Sequence, residues 1–129
     1  MSSLLAHLSQ KGLLDSTLVV VSTEFGRKPD GNTNKGINHH PDGFTCLMAG
    51  AGVKAGQIYG STTKDGKHAD ESVLDVTDFN ASIAWRPGSD PGFEENSTSG
   101  RPFGLDNKGK ARKELFGLVS STDSGKPNP

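Results

Sequence analysis

The sequence has little cysteine, little net charge and no long apolar run, and each shortage excludes a class of protein. Cys46 is the single cysteine, so the chain holds no internal disulfide framework. The 14 basic and 15 acidic residues nearly cancel, which leaves no basic footprint of a nucleic-acid-binding protein. No stretch is long enough to span a membrane, and residues 1–12 lack the pattern of a signal peptide. We therefore expect neither a nucleic-acid partner nor a membrane span.

Glycine and small polar residues are abundant, whereas hydrophobic residues make up 31% of the 129 residues. This composition favours long loops over a large core. The apolar residues nevertheless cluster along the chain, which indicates a folded protein rather than a disordered one. We expect one domain, or a piece of one, over residues 1–119. Residues 120–129 are polar and rich in serine and proline, and are predicted to form a disordered tail.

Two apolar runs are predicted to be strands. Residues 18–21 (LVVV) are continuous and mostly β-branched, as in strands buried on both faces of a parallel sheet. Residues 44–50 (FTCLMAG) are predicted to form a second short buried strand. Together with a helix before the first strand, they indicate an α/β fold with two or three strands and flanking helices.

Two helices are predicted, over residues 3–13 and 75–85. The second has Asp75 or Thr77 as its cap and Pro87 just beyond its end. Its spacing predicts that Val76, Phe79 and Ile83 face inward. Near the end of the chain, a short apolar patch is expected to dock on the domain; it consists of Leu115, Phe116, Leu118 and Val119.

The polar segment between the two strands carries the candidate site. Glu24 ends the first strand, which is where α/β sheets place their ligands. His39 and His40 are adjacent, so on an extended segment their side chains point to opposite faces and one of them at most faces a given site. Imidazole and carboxylate groups bind zinc and similar ions. Arg27 is either a surface charge or a clamp for phosphate, sulfate or carboxylate.

Several segments in unbroken order resemble a bacterial family. They are KGLLDSTLVVVSTEFGRKP, GINHHPDGFTCLMAGAGVKAGQIYGST, VTDFNASIAW and SGRPFGLDNKGKARKELF. Their pattern is similar to the C-terminal part of the domain-of-unknown-function 1501 family, which is sulfatase-like and belongs to the alkaline phosphatase superfamily. The resemblance covers roughly the first 116 residues. It implies a partial three-layer α/β sandwich of alkaline-phosphatase-like type, with few, mainly parallel strands, flanking helices and long loops.

The resemblance holds residue by residue, with departures. Glu24, Phe25, Gly26, Arg27 and Pro29 match the first motif, whereas Lys28 stands where threonine is usual. His39 matches the histidine of the second motif, but Asn38 replaces its aspartate. Asp78 and Ala81 match the helix, and Asn80 stands where the family often has histidine. Gly100, Arg101, Pro102 and Phe103 match the tail motif.

The resemblance implies a hydrolase of anionic esters such as sulfates or phosphates. Glu24 and His39 would bind a metal ion or polarise water, and Arg27 would hold the anion. Phe25 and Asn38 stand where metal-dependent relatives have ligands, so the site would hold one divalent ion (Zn²⁺, Ca²⁺ or Mg²⁺) or none. No segment matches the family's nucleophile. We therefore expect a fragment of a longer parent chain, inactive alone.

Two alternatives remain open. The chain could be a non-catalytic binding module, or an uncharacterised remnant domain of the same fold. A partial sheet exposes strand edges, which favours a homo-oligomer. Families of this type are often exported to the periplasm or cell envelope, although this sequence carries no export signal.

Overall fold

A computed structural model describes residues 1–30, 37–90, 93–104 and 108–117. These residues form a small mixed α/β structure, which confirms the predicted class. Neither α-helix in these ranges is long and apolar enough to cross a lipid bilayer. The tail predicted over 120–129, like Leu118 and Val119, lies outside the described residues. The elements in chain order are α1 (Ser2–Gln10), β1 (Val19–Val21), β2 (Gly26–Arg27), β3 (His39–His40), β4 (Leu47–Ala49), α2 (Val76–Trp85), β5 (Glu94–Asn96), β6 (Pro102–Gly104) and a 3-10 helix (Lys113–Leu115).

Helix α1 is shorter than the predicted 3–13 because a glycine motif ends it. Gly12 has φ +66°, in the left-handed region that glycine adopts without strain. Its N–H donates to the carbonyl of Ser9 at 3.0 Å, and the N–H of Leu13 donates to that of Leu8 at 2.9 Å. These two bonds form a Schellman motif, which satisfies the last carbonyls of the helix and redirects the chain towards β1.

The strands of the described residues form three separate antiparallel pairs, β1 with β4, β2 with β3 and β5 with β6. The mainly parallel sheet that we expected is therefore not seen among the described residues. Val20 lies opposite Met48 in the β1–β4 pair. The prediction that the first strand is buried on both faces is also wrong, since Val21 is 42% exposed. Leu47 in the second strand is 45% exposed. A two-stranded antiparallel pair can leave one face in water, whereas a central strand of a parallel sheet cannot.

Helix α2 confirms the prediction over 75–85 to within one residue. Asp75 is its N-cap, and its carboxylate accepts from the N–H of Thr77 at 2.7 Å. The buried side chains of the helix are Phe79, Ala81 and Ser82. Val76, predicted to face inward, is instead 52% exposed. The buried face of α2 differs from the predicted one because the helix packs on residues 108–117. In that segment the N–H groups of Lys110 and Arg112 donate to the side chains of Asp78 and Ser82.

The core lies where three distant segments meet. Leu115 and Phe116 are 5% and 2% exposed, so the first half of the predicted docking patch is confirmed. The Phe116 ring lies 5.6 Å from that of Trp85 in α2. Phe116 also forms a β-bridge with Val53, in the turn after β4. That turn contacts the α1–β1 link, because the N–H of Ala51 donates to the carbonyl of Leu14 at 2.9 Å.

Candidate functional site

The candidate site is built on a short antiparallel ribbon, which we call the β2–β3 ribbon. Gly26 lies opposite His40, and Arg27 lies opposite His39. The N–H of Lys28 continues the pairing by donating to the carbonyl of Asn38 at 3.0 Å. Because directly opposite residues share a face of an antiparallel pair, Arg27 and His39 lie on one face and Gly26 and His40 on the other.

The first face of the ribbon brings together an aromatic ring, an imidazole and a guanidinium. The rings of Phe25 and His39 are 3.7 Å apart between centroids, with 23° between their planes. The guanidinium carbon of Arg27 lies 5.3 Å from the centre of the Phe25 ring. Arg27 and His39 are exposed, and Phe25 is half-buried. This face therefore presents a guanidinium and an imidazole to water on an aromatic support.

Arg27 is positioned by the chain on both sides of it. Its Nη1 donates to the backbone carbonyl of Ile37 at 3.2 Å. One hydrogen bond of this kind, together with the Phe25 ring, fixes the direction of the side chain while other guanidinium N–H groups stay exposed. No ion pair joins Arg27 to a carboxylate within the described residues. The geometry therefore leaves its charge available to an anion.

Glu24 lies in the bend directly before Phe25 and is exposed. It is thus next in sequence to the ring on which His39 stacks. No group of three His, Cys, Asp or Glu side chains that could hold a metal ion exists in the part of the chain that the structure describes. Glu24 and His39 together offer one carboxylate and one imidazole, a donor set that suits Zn²⁺ but falls short of three protein ligands.

The second face of the ribbon is packed rather than exposed. His40 is 4% exposed, and its Nε2 lies 3.1 Å from the carbonyl oxygen of Gly66. A carbonyl accepts hydrogen bonds and cannot donate them, so Nε2 carries the proton. The backbone of Gly43 approaches so closely that a Cβ added to Gly26 would clash with its carbonyl oxygen. This close approach gives the glycine of the Glu-Phe-Gly-Arg segment a physical reason.

A pocket of about 240 Å³ opens on this second face. Lys67 and Asp30 form an ion pair across it at 3.0 Å. The hydrogen bond to Asp30 raises the pKa of Lys67. The pocket therefore carries charges of both signs; its lining residues are Lys28, Pro29, Asp30, His40, Asp42, Lys67 and His68.

The site residues predicted from the sequence lie on one face of the ribbon or in the bend before it. Glu24, Arg27 and His39 were predicted together, and the structure places them along residues 24–27 and the strand opposite. His40 and His68 were not predicted to meet in a pocket. The period-two alternation of a strand signals that His39 and His40 diverge, but it does not tell which of them is buried. The burying group, Gly66, lies 26 residues away from His40 along the chain.

The comparisons with known proteins give one result. The family described as Protein of unknown function (DUF1501) matches residues 1–116. This chain belongs to the DUF1501 family. No curated protein and no solved structure gives a significant match. The family membership that the motifs predicted is thus confirmed over nearly all of the chain.

In this DUF1501 chain, the motif residues of α2 hold the fold together rather than lining the ribbon. Asp78 binds Arg112 through Nη2 at 2.7 Å and Nε at 2.9 Å. Ser82 is fully buried and donates to the Asp78 carbonyl at 2.6 Å, while it accepts from the N–H of Arg112 at 2.8 Å. Ala81 is also fully buried, so its small size suits the close packing of the helix. These residues anchor the segment that carries Phe116.

The tail motif of the DUF1501 chain forms an exposed hairpin. Gly100 has φ +79° in the turn, and the N–H of Ser97 donates to the carbonyl of Arg101 at 2.8 Å. Arg101 lies over the ring of Phe103, with 5.4 Å between the guanidinium carbon and the ring centre. Phe103 is 56% exposed. This pair repeats the arginine–phenylalanine contact of the β2–β3 ribbon without a histidine beside it.

Proposed function

We propose that this chain is part of a sulfatase- or phosphatase-like hydrolase of anionic esters, and that the Phe25–Arg27–His39 face binds the anionic group. The register of the β2–β3 ribbon carries the proposal, because it sets Arg27 opposite His39. Guanidinium and imidazole are donors that suit sulfate and phosphate oxygens. The Phe25 ring supports both groups, so little side-chain freedom is lost when an anion binds.

Glu24 completes the proposed site. Its exposed carboxylate, one residue from the Phe25 ring, would orient water or join His39 in holding one divalent ion, Zn²⁺, Ca²⁺ or Mg²⁺. Such an ion would draw its remaining ligands from water, the ester or a longer parent chain. When bound, it would polarise the ester oxygen as a Lewis acid. Arg27 would hold the anion in place and offset the charge that develops on its oxygens.

The proposal extends to the architecture. Residues 1–119 would be the C-terminal part of an alkaline-phosphatase-like sandwich, and the nucleophile would come from the remainder of a longer, exported parent. The antiparallel pairs of the described residues are compatible with a piece of such a fold, where edge strands run against the main sheet. The chain alone would then bind the anion without cleaving an ester.

Anion binding tests the proposal directly. Inorganic sulfate and phosphate are titrated into the protein and followed by isothermal calorimetry. Arg27→Ala should weaken binding by about tenfold or more, because charged hydrogen bonds are lost. Arg101→Ala is the matched control, since Arg101, like Arg27, lies over a phenylalanine ring. Equal affinities of the wild-type protein and Arg27→Ala would refute the role of this face.

Metal binding is tested separately. The protein is dialysed against zinc and its metal content is measured by elemental analysis. Glu24→Gln and His39→Ala should each lower the bound zinc if these two residues hold an ion. His7→Ala is the control, because His7 lies in α1, outside the ribbon. Zinc content that is unchanged in both site variants would leave a metal-free anion site.

One observation favours a second function, a non-catalytic binding module. The Phe25–His39 stack joins a half-buried aromatic ring to an exposed imidazole, a combination of apolar body and polar edge that also suits contact with sugars and partner proteins. A binding module predicts that the full-length parent turns over neither aryl sulfates nor aryl phosphates. Activity of the parent that is lost in Glu24→Gln would exclude this alternative.

A further inference from the structure

A polar segment folds over the second face of the ribbon. We call residues 61–71 the strap. It doubles back on itself through a β-bridge between Thr62 and Ala69. The N–H of Thr63 donates to the carbonyl of His68 at 3.0 Å, and that of Asp70 to the carbonyl of Ser61 at 2.9 Å. The strap is therefore an internally bonded unit that can move as one piece.

Within the part of the chain that the structure describes, three polar contacts hold the strap to the ribbon and its flanks. The ring of His40 donates to the carbonyl of Gly66 at the tip. Lys67 pairs with Asp30 at 3.0 Å. The N–H of Ala69 donates to the carbonyl of Asp42 at 3.0 Å. The strap and the ribbon thus enclose His40 between them.

The strap has almost no apolar anchor. None of its described side chains is buried. The Lys67–Asp30 pair is also well exposed, with side chains 46% and 66% accessible. Exposed ion pairs contribute little stability, and segments with few buried apolar contacts open at low free energy. The strap is therefore expected to open far more easily than the core around Phe116.

The closed strap leaves one polar atom without a partner. The Nδ1 of His40 is buried and has no hydrogen bond among the described residues. Burying such an atom costs free energy that water would repay in an open state. The unpartnered Nδ1 of His40 thus favours opening, while its Nε2 bond to Gly66 and the contacts of Lys67 and Ala69 favour closure. The two states are balanced against each other by a few polar groups.

We propose that the strap is a gate, which opens locally and exposes the buried His40 ring to small polar ligands in the adjoining pocket. With the strap closed, the pocket is lined by two lysines, two aspartates and the His40 and His68 imidazoles, and of these Lys67 and His68 belong to the strap itself. This gate lies on the opposite face of the ribbon from Arg27 and His39, so it stands independently of the proposed anion site.

Hydrogen exchange gives the first test. The amide of Ala69 should exchange much faster than the amides of α2, because its hydrogen bond to the carbonyl of Asp42 is broken when the strap opens. Lys67→Ala should speed the exchange of the Ala69 amide a few-fold, since it removes the pair with Asp30. Lys64→Ala is the matched control in the same strap. Exchange of the Ala69 and α2 amides at one common rate would overturn the proposal.

A reversible cross-link gives the second test. A Cβ added to Gly66 would lie 3.7 Å from the Cβ of Pro29, a separation that suits a disulfide. Pro29→Cys and Gly66→Cys are combined with Cys46→Ser. Diethyl pyrocarbonate should modify His40 severalfold more slowly in the oxidised protein than in the reduced one, whereas His7 should react equally in both. Equal modification of His40 before and after reduction would refute the gate.

Discussion

The carboxylate of Asp78 in helix α2 binds both Nε and Nη2 of Arg112, which lies 34 residues further along the chain. The same carboxylate accepts from the N–H of Lys110 at 2.8 Å. These contacts fasten the segment that carries Leu115 and Phe116 to the helix. A residue that matches a family motif in sequence thus serves the core rather than the candidate site.

The anchored carboxylate makes the fold sensitive to acid. The backbone N–H of Lys110, together with the Arg112 guanidinium, lowers the pKa of Asp78 below its ordinary value of 3.8. The hydroxyl and N–H of Thr77 lower the pKa of Asp75 in the same direction. A depressed folded-state pKa contributes stability that is fully present above pH 3.8 and is lost as the pH falls through the lower value.

Urea unfolding at a series of acidic pH values checks this prediction. The urea midpoint of the wild-type protein should fall as the pH drops below 3.8. Asp78→Asn should lower the midpoint at neutral pH and flatten its dependence on pH. Asp70→Asn is the control, because the exposed Asp70 side chain makes no hydrogen bond or ion pair among the described residues. An identical pH dependence in Asp78→Asn would contradict the assignment.

The close packing of the ribbon predicts a cost for any side chain at Gly26. A Cβ there would clash with the carbonyl oxygen of Gly43, which is backbone and cannot swing aside. Gly26→Ala should therefore destabilise the protein by about 1–3 kcal/mol, as overpacking does. Gly117→Ala serves as the control, since its Cβ would lie 3.6 Å from the nearest atom. Urea midpoints that are equal for the two variants would show that the β2–β3 ribbon shifts to make room for the added methyl group.

The core depends on the phenylalanine that three segments share. Phe116 is 2% exposed, and Phe116→Ala should cost about 3–5 kcal/mol, enough to unfold much of a small domain. Phe103 is 56% exposed in its hairpin, so Phe103→Ala should change stability by no more than about 0.5 kcal/mol. Thermal unfolding followed by circular dichroism distinguishes the two. A mild effect of Phe116→Ala would place the core elsewhere.

Exposed apolar residues on β1 and β4 predict self-association. Val21 lies directly opposite Leu47, and both are more than two-fifths exposed. Burying such a pair against a second copy would remove it from water. Light scattering should therefore show a larger particle for the wild-type protein than for the Val21→Thr, Leu47→Thr double variant. Ile58→Thr is the control, because Ile58 is 92% exposed in a stretch outside the strands. A monomeric wild-type protein would exclude the homo-oligomer.

Local signals predicted helix α2 well and its packing poorly. The Asp75 cap lies directly before the helix and Pro87 lies just beyond its end, so the bounds of the helix follow from short-range chemistry. The exposure of Val76 follows from the face of α2 on which residues 108–117 dock. Those residues lie too far along the chain to be read from the sequence around the helix. The same limit applies to β1, whose burial depends on how many strands surround it.

The candidate site shows the same division. The alternation of side chains along a strand predicted that His39 and His40 point to opposite faces. The register of the ribbon sets His39 opposite Arg27, on the same face. The burial of His40 depends on the strap, whose position is set by tertiary contacts to Asp30 and Asp42. Sequence spacing predicts which groups share a face, whereas long-range packing decides which face meets solvent.

The closure of the core by residues 109–117 bears on how the chain is made. Phe116 must reach Val53 and Trp85, and Arg112 must reach Asp78, before the interior is complete. During synthesis, helix α2 therefore leaves the ribosome before residues 109–117 are made. Its inner face stays exposed until that segment packs on it. A nascent chain that stalls between Trp85 and Arg112 would expose Phe79 to chaperones and proteases.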